Sequence, residues 1–199
     1  MGTTLPLKKP TTFEAQLNSS ISQGLIQGPP GTGYTKTRAD RALSSIRWIV
    51  VHYTGCEGSA AMLASSMARP NRKAGTHFFV DENQIVQSID IGKSAWHIGD
   101  GCPVPSYAGY DHAKSLGLRG LGCTNATSIA VDICATKASG AWEHRGERRA
   151  AALVKELMRL YTIPLDRVVR HYDCTGKPCP RPFTDDPARW EEFKKLLEG

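Results

Sequence analysis

The sequence predicts an α/β fold, a single mixed β-sheet with helices packed on its faces. Two observations lead to this prediction. From residue 45 onward, short apolar runs bounded by Gly, Pro, Asn or Asp alternate with longer segments of helical periodicity. The chain has 199 residues, of which 40% are hydrophobic and 22% charged, so we expect one domain with a sizeable core and not two full domains.

The first part of this region predicts three strands and one helix. Ile46–His52 is an apolar run typical of a buried strand, and Ser59–Arg69, rich in Ala, Met and Leu, has the character of a helix. Thr76–Val80 and Gln84–Ile89 predict a hairpin, because the polar residues 81–83 between them favour a turn.

The second part begins with a long Gly-rich connection over residues 99–125, and loops of that length are usually functional or mobile. Ser128–Cys134 then predicts another strand, and Trp142–Tyr161 has the periodicity of a helix with one apolar face. Arg167–Arg170 predicts a short strand, and Pro187–Leu197 predicts an amphipathic helix that closes the fold.

Residues 1–44 differ from the rest and predict an N-terminal arm or cap on a main domain that spans residues 45–199. Within this arm, Gly28–Thr35 nearly matches the phosphate-binding loop of an NTPase. That loop needs a Lys where this sequence has Tyr34, and the residues before it are too polar for a buried strand. ATP binding is therefore not expected.

The charge of the chain points to polyanionic partners. A net charge of +6 favours nucleic acid, anionic lipid or a bacterial wall that bears carboxylates and phosphates, although an ordinary solvated surface is an equal alternative. Nucleic acid is not an expected partner, because no basic stripe contains interleaved aromatic residues. No apolar run is long enough to span a bilayer, and the N-terminus lacks the apolar core of a signal peptide. We expect synthesis in the cytoplasm without a signal peptide.

Six cysteines are spread along the chain at positions 56, 102, 123, 134, 174 and 179. Their spacing matches no small disulfide scaffold, and a chain of this length does not need one. We expect mainly free, buried thiols.

Two histidines and one cysteine have the pattern of a catalytic metal site. His52 ends one apolar run, His171 directly follows another, and Cys179 lies eight residues further on, across a loop that contains Gly and Pro. Adjacent strands would bring the two imidazoles to one edge of the sheet. Imidazole and thiolate are preferred ligands of Zn²⁺, and a catalytic zinc has three protein ligands and one open position. For each histidine alone, the alternative is a hydrogen-bonded structural role.

Four further polar residues are candidates for chemistry beside such a metal. Asp132 is a carboxylate inside an apolar strand, where it either faces a polar cavity as a proton acceptor or pairs with an Arg as a structural group. Lys177, in the loop before Cys179, either stabilises a developing oxyanion or is simply solvated. His77 and His97 are polar groups on strands or at their exits, and each alone is as readily structural as functional.

Taken together, these segments resemble the zinc-dependent N-acetylmuramoyl-L-alanine amidases, a family that includes phage lysozyme-like amidases and animal peptidoglycan recognition proteins. The resemblance covers about residues 45–198 and depends on five motifs in the same order and at similar intervals. These motifs are Ile49–Thr54, Gly75–Val80, Ala95–Gly99, Ser128–Cys134 and His171–Pro180.

The resemblance implies one zinc ion per chain, held by His52, His171 and Cys179. It also implies that Lys177 is the loop lysine implicated in catalysis. Asp132 matches an acidic residue that is Glu in many bacterial and phage members and is one methylene shorter here. We therefore expect Lys177 and Asp132 to be the catalytic residues.

The resemblance also implies substrate contacts. His97 matches a histidine that lines the substrate groove of the family, and we expect His77 to help orient the substrate. Thr76 stands where many members have a Tyr that assists catalysis. We expect Thr76 at the substrate site without that contribution, which makes Asp132 the expected general base.

The function that the resemblance implies is hydrolysis of the amide between N-acetylmuramic acid and L-alanine in bacterial peptidoglycan. Residues 45–199 would be the zinc amidase catalytic domain of a monomeric enzyme. The expected setting is a phage endolysin that acts on the cell wall after release in the infected host, and export by a route without a signal peptide is the alternative. The alternative function is a non-catalytic peptidoglycan-binding module, which would have no use for three metal ligands.

Overall fold

The computed structural model of the chain describes residues 39–68, 74–99, 116–118, 120–136 and 144–198. Most of the predicted N-terminal arm, including Gly28–Thr35, lies outside these residues, as do Cys102 and most of the predicted connection 99–125. Within the described part, no helix combines the length and the apolar character needed to cross a membrane.

Five strands form one sheet in the order β3-β2-β4-β1-β5. The strands are β1 (Trp48–Glu57), β2 (Phe78–Val80), β3 (Ile85–Gln87), β4 (Ser128–Ala135) and β5 (Val168–Arg170). β1 pairs in parallel with β4 and β5, and β2 pairs in parallel with β4, whereas β2 and β3 form an antiparallel hairpin. The sheet is mixed, so the predicted fold class is confirmed.

Five α-helices accompany the sheet in the described residues. They are α1 (Ala60–Met67), α2 (His144–Tyr161), α3 (His171–Thr175), α4 (Arg181–Asp185) and α5 (Pro187–Leu197). α5 has the predicted bounds, and α1 and α2 lie within theirs. Short 3₁₀ helices at Leu43–Ser45 and Leu165–Arg167 lead into β1 and β5.

The alternation of side chains along the strands gives the sheet two different faces. Ile49 and Val51 of β1 and Val131 of β4 belong to the largest apolar cluster, which α2 and α5 cover. Val50 belongs to a smaller cluster on the opposite face. Because side chains two residues apart share a face, His52 lies on the same side as Val50, away from the main core.

β1 is longer than predicted, so His52 occupies a different place along the strand than expected. The strand continues to Glu57, so His52 lies inside it and not at its end. Regular pairing with β4 runs as far as Tyr53 and is interrupted before Glu57. The apolar run ends at His52, but strand pairing depends on backbone groups and continues without apolar side chains. In this register, His52 lies directly opposite Asp132.

Residues 39–44, at the end of the predicted arm, contact the main fold. Asp40 forms an isolated bridge with Lys93, and their side chains form an ion pair at 2.5 Å. The Arg41 guanidinium donates to the carbonyl groups of Ile91 at 2.8 Å and Ser128 at 2.6 Å. Arg41 thereby holds the start of the described chain against the first residue of β4.

Candidate metal centre

Three side chains that could bind a metal meet on the face of the sheet that lies away from the main core. They are His52 in β1, His171 at the first position of α3 and Cys179 in the loop after α3. Their ligand atoms all lie within 4.8 Å of one another, and the three residues have only 5%, 6% and 2% of their surface exposed. The three residues predicted as ligands therefore lie together.

Strand pairing places the two histidines side by side. Val51 of β1 is in register with Arg170 of β5, and each is followed by a histidine. The ring centroids of His52 and His171 are 4.7 Å apart. As the sequence predicts, parallel neighbouring strands bring the imidazoles together.

α3, which carries His171, was predicted as a loop. Its start is fixed by Asp173, whose carboxylate accepts from the Arg170 backbone N–H at 2.8 Å and pairs with the Arg170 guanidinium at 2.8 Å. Five residues are too few for helical periodicity to be visible in a sequence. The same reason explains why α4 was not predicted.

A chain reversal after α3 delivers the third ligand. α3 ends at Gly176, whose φ of +76° lies in the left-handed region that residues with a Cβ rarely adopt. The chain then returns so that the Tyr172 N–H donates to the Cys179 carbonyl at 2.9 Å. As a result, Cys179 Sγ lies 3.8 Å from His52 Nδ1.

One atom of the site tests whether the residues fit a metal. Nδ1 of His171 is buried and has no hydrogen-bond partner within the described part of the chain. A buried polar atom without a partner costs about 1–3 kcal/mol. A cation between His52, His171 and Cys179 would accept this lone pair. Two imidazole nitrogens and one thiolate are a donor set that Zn²⁺ prefers, so the residues fit this ion.

Burial sets the protonation states of the three ligands. Desolvation lowers the pKa of His171 to about 3, and the charge of Lys177 adds to the effect. Desolvation also lowers the pKa of His52 well below its usual 6.5, helped by His171. The same desolvation raises the pKa of Cys179 to about 12, against the opposing charge of Lys177. Both imidazoles therefore have free lone pairs at neutral pH, whereas the thiol must lose a proton to bind a metal.

A cavity of about 260 Å³ opens beside the three ligands. Its wall includes Asp132 and Lys177, and the neutral side chains of Tyr53, Leu63 and Trp96 form part of the rest. The ligands thus have protein on one side and open space on the other. An open position of this kind distinguishes a catalytic metal site from a closed structural one.

Asp132 faces this cavity and is half-buried. Desolvation raises the pKa of its carboxyl to about 7, and a hydrogen bond from the Thr76 hydroxyl and the charge of Lys177 oppose the rise. Within the described part of the chain, the groups that act on this carboxyl are a hydroxyl and a lysine, and no arginine pairs with it. A carboxyl with a pKa near 7 can both accept and return a proton at neutral pH.

The positions of Thr76 and His77 do not fit the predicted substrate contacts. Thr76 is 1% exposed, its hydroxyl donates to the Phe78 carbonyl at 3.4 Å, and it is not among the residues that line the cavity. His77 has no exposed surface, its Nδ1 accepts from the Ala130 N–H at 2.9 Å, and its Nε2 lies 3.0 Å from the Lys93 carbonyl. Backbone groups engage both ring nitrogens, so His77 connects β4 with the segment after β3, and it is not among the residues that line the cavity.

His97 lines the cavity, as predicted, but its ring nitrogens are also engaged. Nδ1 lies 2.9 Å from His52 Nε2, and Nε2 lies 3.0 Å from Ser128 Oγ. His97 therefore contacts a ligand residue directly. Ser128 and the wall residue Trp96 were not predicted as site residues, although both lie inside the motifs Ser128–Cys134 and Ala95–Gly99.

Three buried side chains that could bind a metal therefore lie beside an open cavity on one face of a mixed α/β sheet, an arrangement that a catalytic metal site would need. Comparison with known proteins identifies the family. The sequence profile of the N-acetylmuramoyl-L-alanine amidases matches residues 42–182. The chain belongs to this family, which confirms the predicted resemblance.

Individual relatives agree with this assignment. The chain is 30% identical to the N-acetylmuramoyl-L-alanine amidase XlyB of Bacillus subtilis over 154 residues, which are 77% of this chain and 43% of XlyB. The solved catalytic domain of XlyA, another B. subtilis amidase, is 30% identical, with a TM-score of 0.65 over 86% of this chain and 97% of that domain. A mutant endolysin from B. subtilis is also 30% identical, with a TM-score of 0.62 over 86% of this chain and 95% of that one. The chain spans about half the length of the curated relatives it matches.

Proposed function

We propose that the chain is a zinc-dependent amidase that cleaves peptidoglycan between the lactyl group of N-acetylmuramic acid and the L-alanine of the stem peptide. Family membership supports the choice of bond. The observation that carries the proposal is the buried trio His52, His171 and Cys179 beside a cavity that also holds a carboxylate and an ammonium group.

His52, His171 and Cys179 would hold one zinc ion per chain. When bound, the ion would polarise the scissile carbonyl and make water acidic enough to attack at neutral pH. The neutral imidazoles support this choice of ligands, as does His171 Nδ1, which has no hydrogen-bond partner among the described residues. Because Cys179 is buried, its thiol has a raised pKa and would ionise only when a cation is bound beside it.

Asp132 would act as the general base. Its carboxyl lines the cavity, and burial raises its pKa to about 7, which is close to neutral pH. In the ionised form it would take the proton of the attacking water, and in the protonated form it would return that proton to the leaving amine. The Thr76 hydroxyl would favour the ionised form of this carboxyl.

Lys177 would stabilise the negative charge that develops on the scissile carbonyl oxygen. It lines the same cavity as His171, Cys179 and Asp132, which supports this role. A preorganised donor of this kind contributes about 3 kcal/mol to transition-state stabilisation. A base and a cationic donor beside the ligands favour a catalytic role over binding alone.

We propose a phage endolysin as the biological setting. The similarity to the B. subtilis endolysin supports this setting. The net charge of +6 also favours attraction to a wall that carries carboxylates and phosphates.

Mass spectrometry of digested peptidoglycan tests the proposed reaction. Purified murein should release stem peptides with a free N-terminal L-alanine, and the glycan strands should stay intact. Metal-free protein and Cys179→Ser should be inactive, and added Zn²⁺ should restore only the former. New reducing sugar ends, or peptides cut at a cross-bridge, would identify a glycosidase or an endopeptidase and overturn the proposal.

A further inference from the structure

A chain of three polar contacts connects a backbone carbonyl to one of the metal ligands. Ser128 Oγ lies 2.5 Å from the Thr124 carbonyl oxygen. His97 Nε2 lies 3.0 Å from Ser128 Oγ, and His97 Nδ1 lies 2.9 Å from His52 Nε2. We name Thr124, Ser128 and His97 the relay.

The chemistry of its first member fixes the direction of every hydrogen bond in the relay. A carbonyl oxygen only accepts, so the Ser128 hydroxyl must donate to Thr124. The Ser128 oxygen then accepts from His97, which places the His97 proton on Nε2 and leaves a lone pair on Nδ1. A neutral imidazole carries a single proton, so once that proton is on Nε2 the other ring nitrogen can only accept.

The lone pair on His97 Nδ1 determines which ring nitrogen of His52 carries the proton. Nε2 of His52 faces this lone pair at 2.9 Å and must donate a proton to it. A neutral imidazole carries one proton, so Nδ1 of His52 keeps its lone pair. That nitrogen is the one that lies 3.8 Å from Cys179 Sγ, inside the ligand cluster.

The relay is anchored in rigid parts of the fold. Ser128 is the first residue of β4, where it is in register with Trp48 of β1. The Asn125 side-chain oxygen accepts from the backbone N–H groups of His97 at 2.9 Å and Ile98 at 3.0 Å. The orientation of the His97 ring is therefore set from its backbone as well as from both ring nitrogens.

We propose that His97 is a positioning residue, which holds His52 in the Nε2-protonated tautomer so that Nδ1 is available to the metal. The expected effect on metal binding rests on the proposed zinc site, whereas the hydrogen bonds of the relay are present without it. Groups that orient a metal-bound histidine typically change metal affinity by 10- to 100-fold when they are removed. His97 therefore acts through His52 and does not itself need to touch the substrate.

Two measurements test the relay. In the first, long-range ¹H–¹⁵N NMR of the metal-free protein should show His52 with a bare Nδ1 and a protonated Nε2. In the second, competition with a chromophoric chelator should show zinc affinity reduced about 10- to 100-fold in His97→Phe. His97→Asn, which keeps an acceptor near the position of Nδ1, should recover most of this loss.

Two further variants keep the test sharp. Ser128→Ala removes a single oxygen atom and should mix the two His52 tautomers in the NMR spectrum, so it tests the relay even if His97→Phe does not fold. His144→Phe changes a histidine that is exposed on α2 and should leave zinc affinity unchanged.

A protonated Nδ1 on His52 in the wild-type protein, or wild-type zinc affinity in a folded His97→Phe, would overturn the proposal. If the proposed zinc site is wrong, the measurements give a different result. In that case the wild-type protein would bind no zinc, while the tautomer of His52 in the metal-free protein would still report on the relay.

Discussion

Zinc binding is expected to release one proton from the thiol of Cys179. In the metal-free protein, burial raises the pKa of this thiol to about 12 and lowers the pKa of His171 to about 3. The pKa of His52 also lies well below 6.5. Both imidazoles are therefore neutral at physiological pH, and among the three ligands only the thiol has a proton to lose.

The cost of ionising the thiol determines how zinc affinity depends on pH. A thiol with a pKa of about 12 costs about 7 kcal/mol to ionise at pH 7, since each pH unit corresponds to about 1.4 kcal/mol. A rise in pH reduces this cost. Zinc affinity should therefore increase about tenfold per pH unit from this group alone.

Titration calorimetry at about pH 6, in buffers of different ionisation enthalpy, counts the protons released per zinc. This pH lies below about 7, where water at a catalytic zinc begins to ionise. Asp132, with a pKa of about 7, is also largely protonated there, and a nearby cation lowers its pKa. The Asp132→Asn variant removes that contribution. It should release one proton per zinc, and the wild type should release more than one but fewer than two.

Two outcomes would refute this reasoning. If Asp132→Asn releases no proton, Cys179 is already ionised in the metal-free protein or does not bind the ion. If the variant releases two or more protons, at least one histidine is protonated before the metal binds, and burial does not keep the imidazoles neutral.

Three other expectations concern catalysis and stability. Lys177→Ala and Asp132→Asn should each lower the rate of stem-peptide release about a hundredfold or more. Elemental analysis should show full zinc occupancy in both variants. A near-wild-type rate for Asp132→Asn would show that this carboxylate is structural. The pKa of Asp132 rises from 3.8 to about 7 on folding, so the folded metal-free protein binds this proton more tightly and loses stability as the pH rises through this range. Asp132→Asn should therefore raise the free energy of unfolding in urea by about 3 kcal/mol more at pH 8 than at pH 5, and an equal gain at both would contradict the shift. Phe193 is fully buried and stacks on Trp190. Phe193→Ala should lower the free energy of unfolding by about 3–5 kcal/mol and leave zinc affinity unchanged. Loss of zinc in this variant would show that the core and the site are coupled.

The sequence predicted most strands and helices because their apolar patterns are long enough to identify. Pro187–Leu197 has its predicted bounds, since the N-cap Asp186 and the following Pro mark its start. The proximity of His52 and His171 was predictable, because each follows a strand residue and these two residues pair in register. The extension of β1 to Glu57 was not predictable, because backbone pairing continues there under exposed polar side chains.

The roles of the remaining histidines could not be predicted from sequence. The partners of His97 are 45 and 31 residues away, at His52 and Ser128, and they meet only when the sheet has formed. His77 lies 53 residues before Ala130, whose N–H its ring accepts. A sequence pattern identifies a histidine near a site, but only the tertiary contacts decide whether its nitrogens are free.

The spacing of the ligands along the chain has a consequence for the order of events during translation. His52 and Cys179 are 127 residues apart, and β5 must pair with β1 before His171 reaches its place. At synthesis rates of 5–20 residues per second, a ribosome needs about 6 to 25 seconds to go from the first ligand to the last. The growing chain can form the β2–β3 hairpin once Gln87 has been made and has emerged, but until Cys179 is added it has no complete set of ligands. Capture of the ion is therefore confined to chains whose synthesis has passed Cys179.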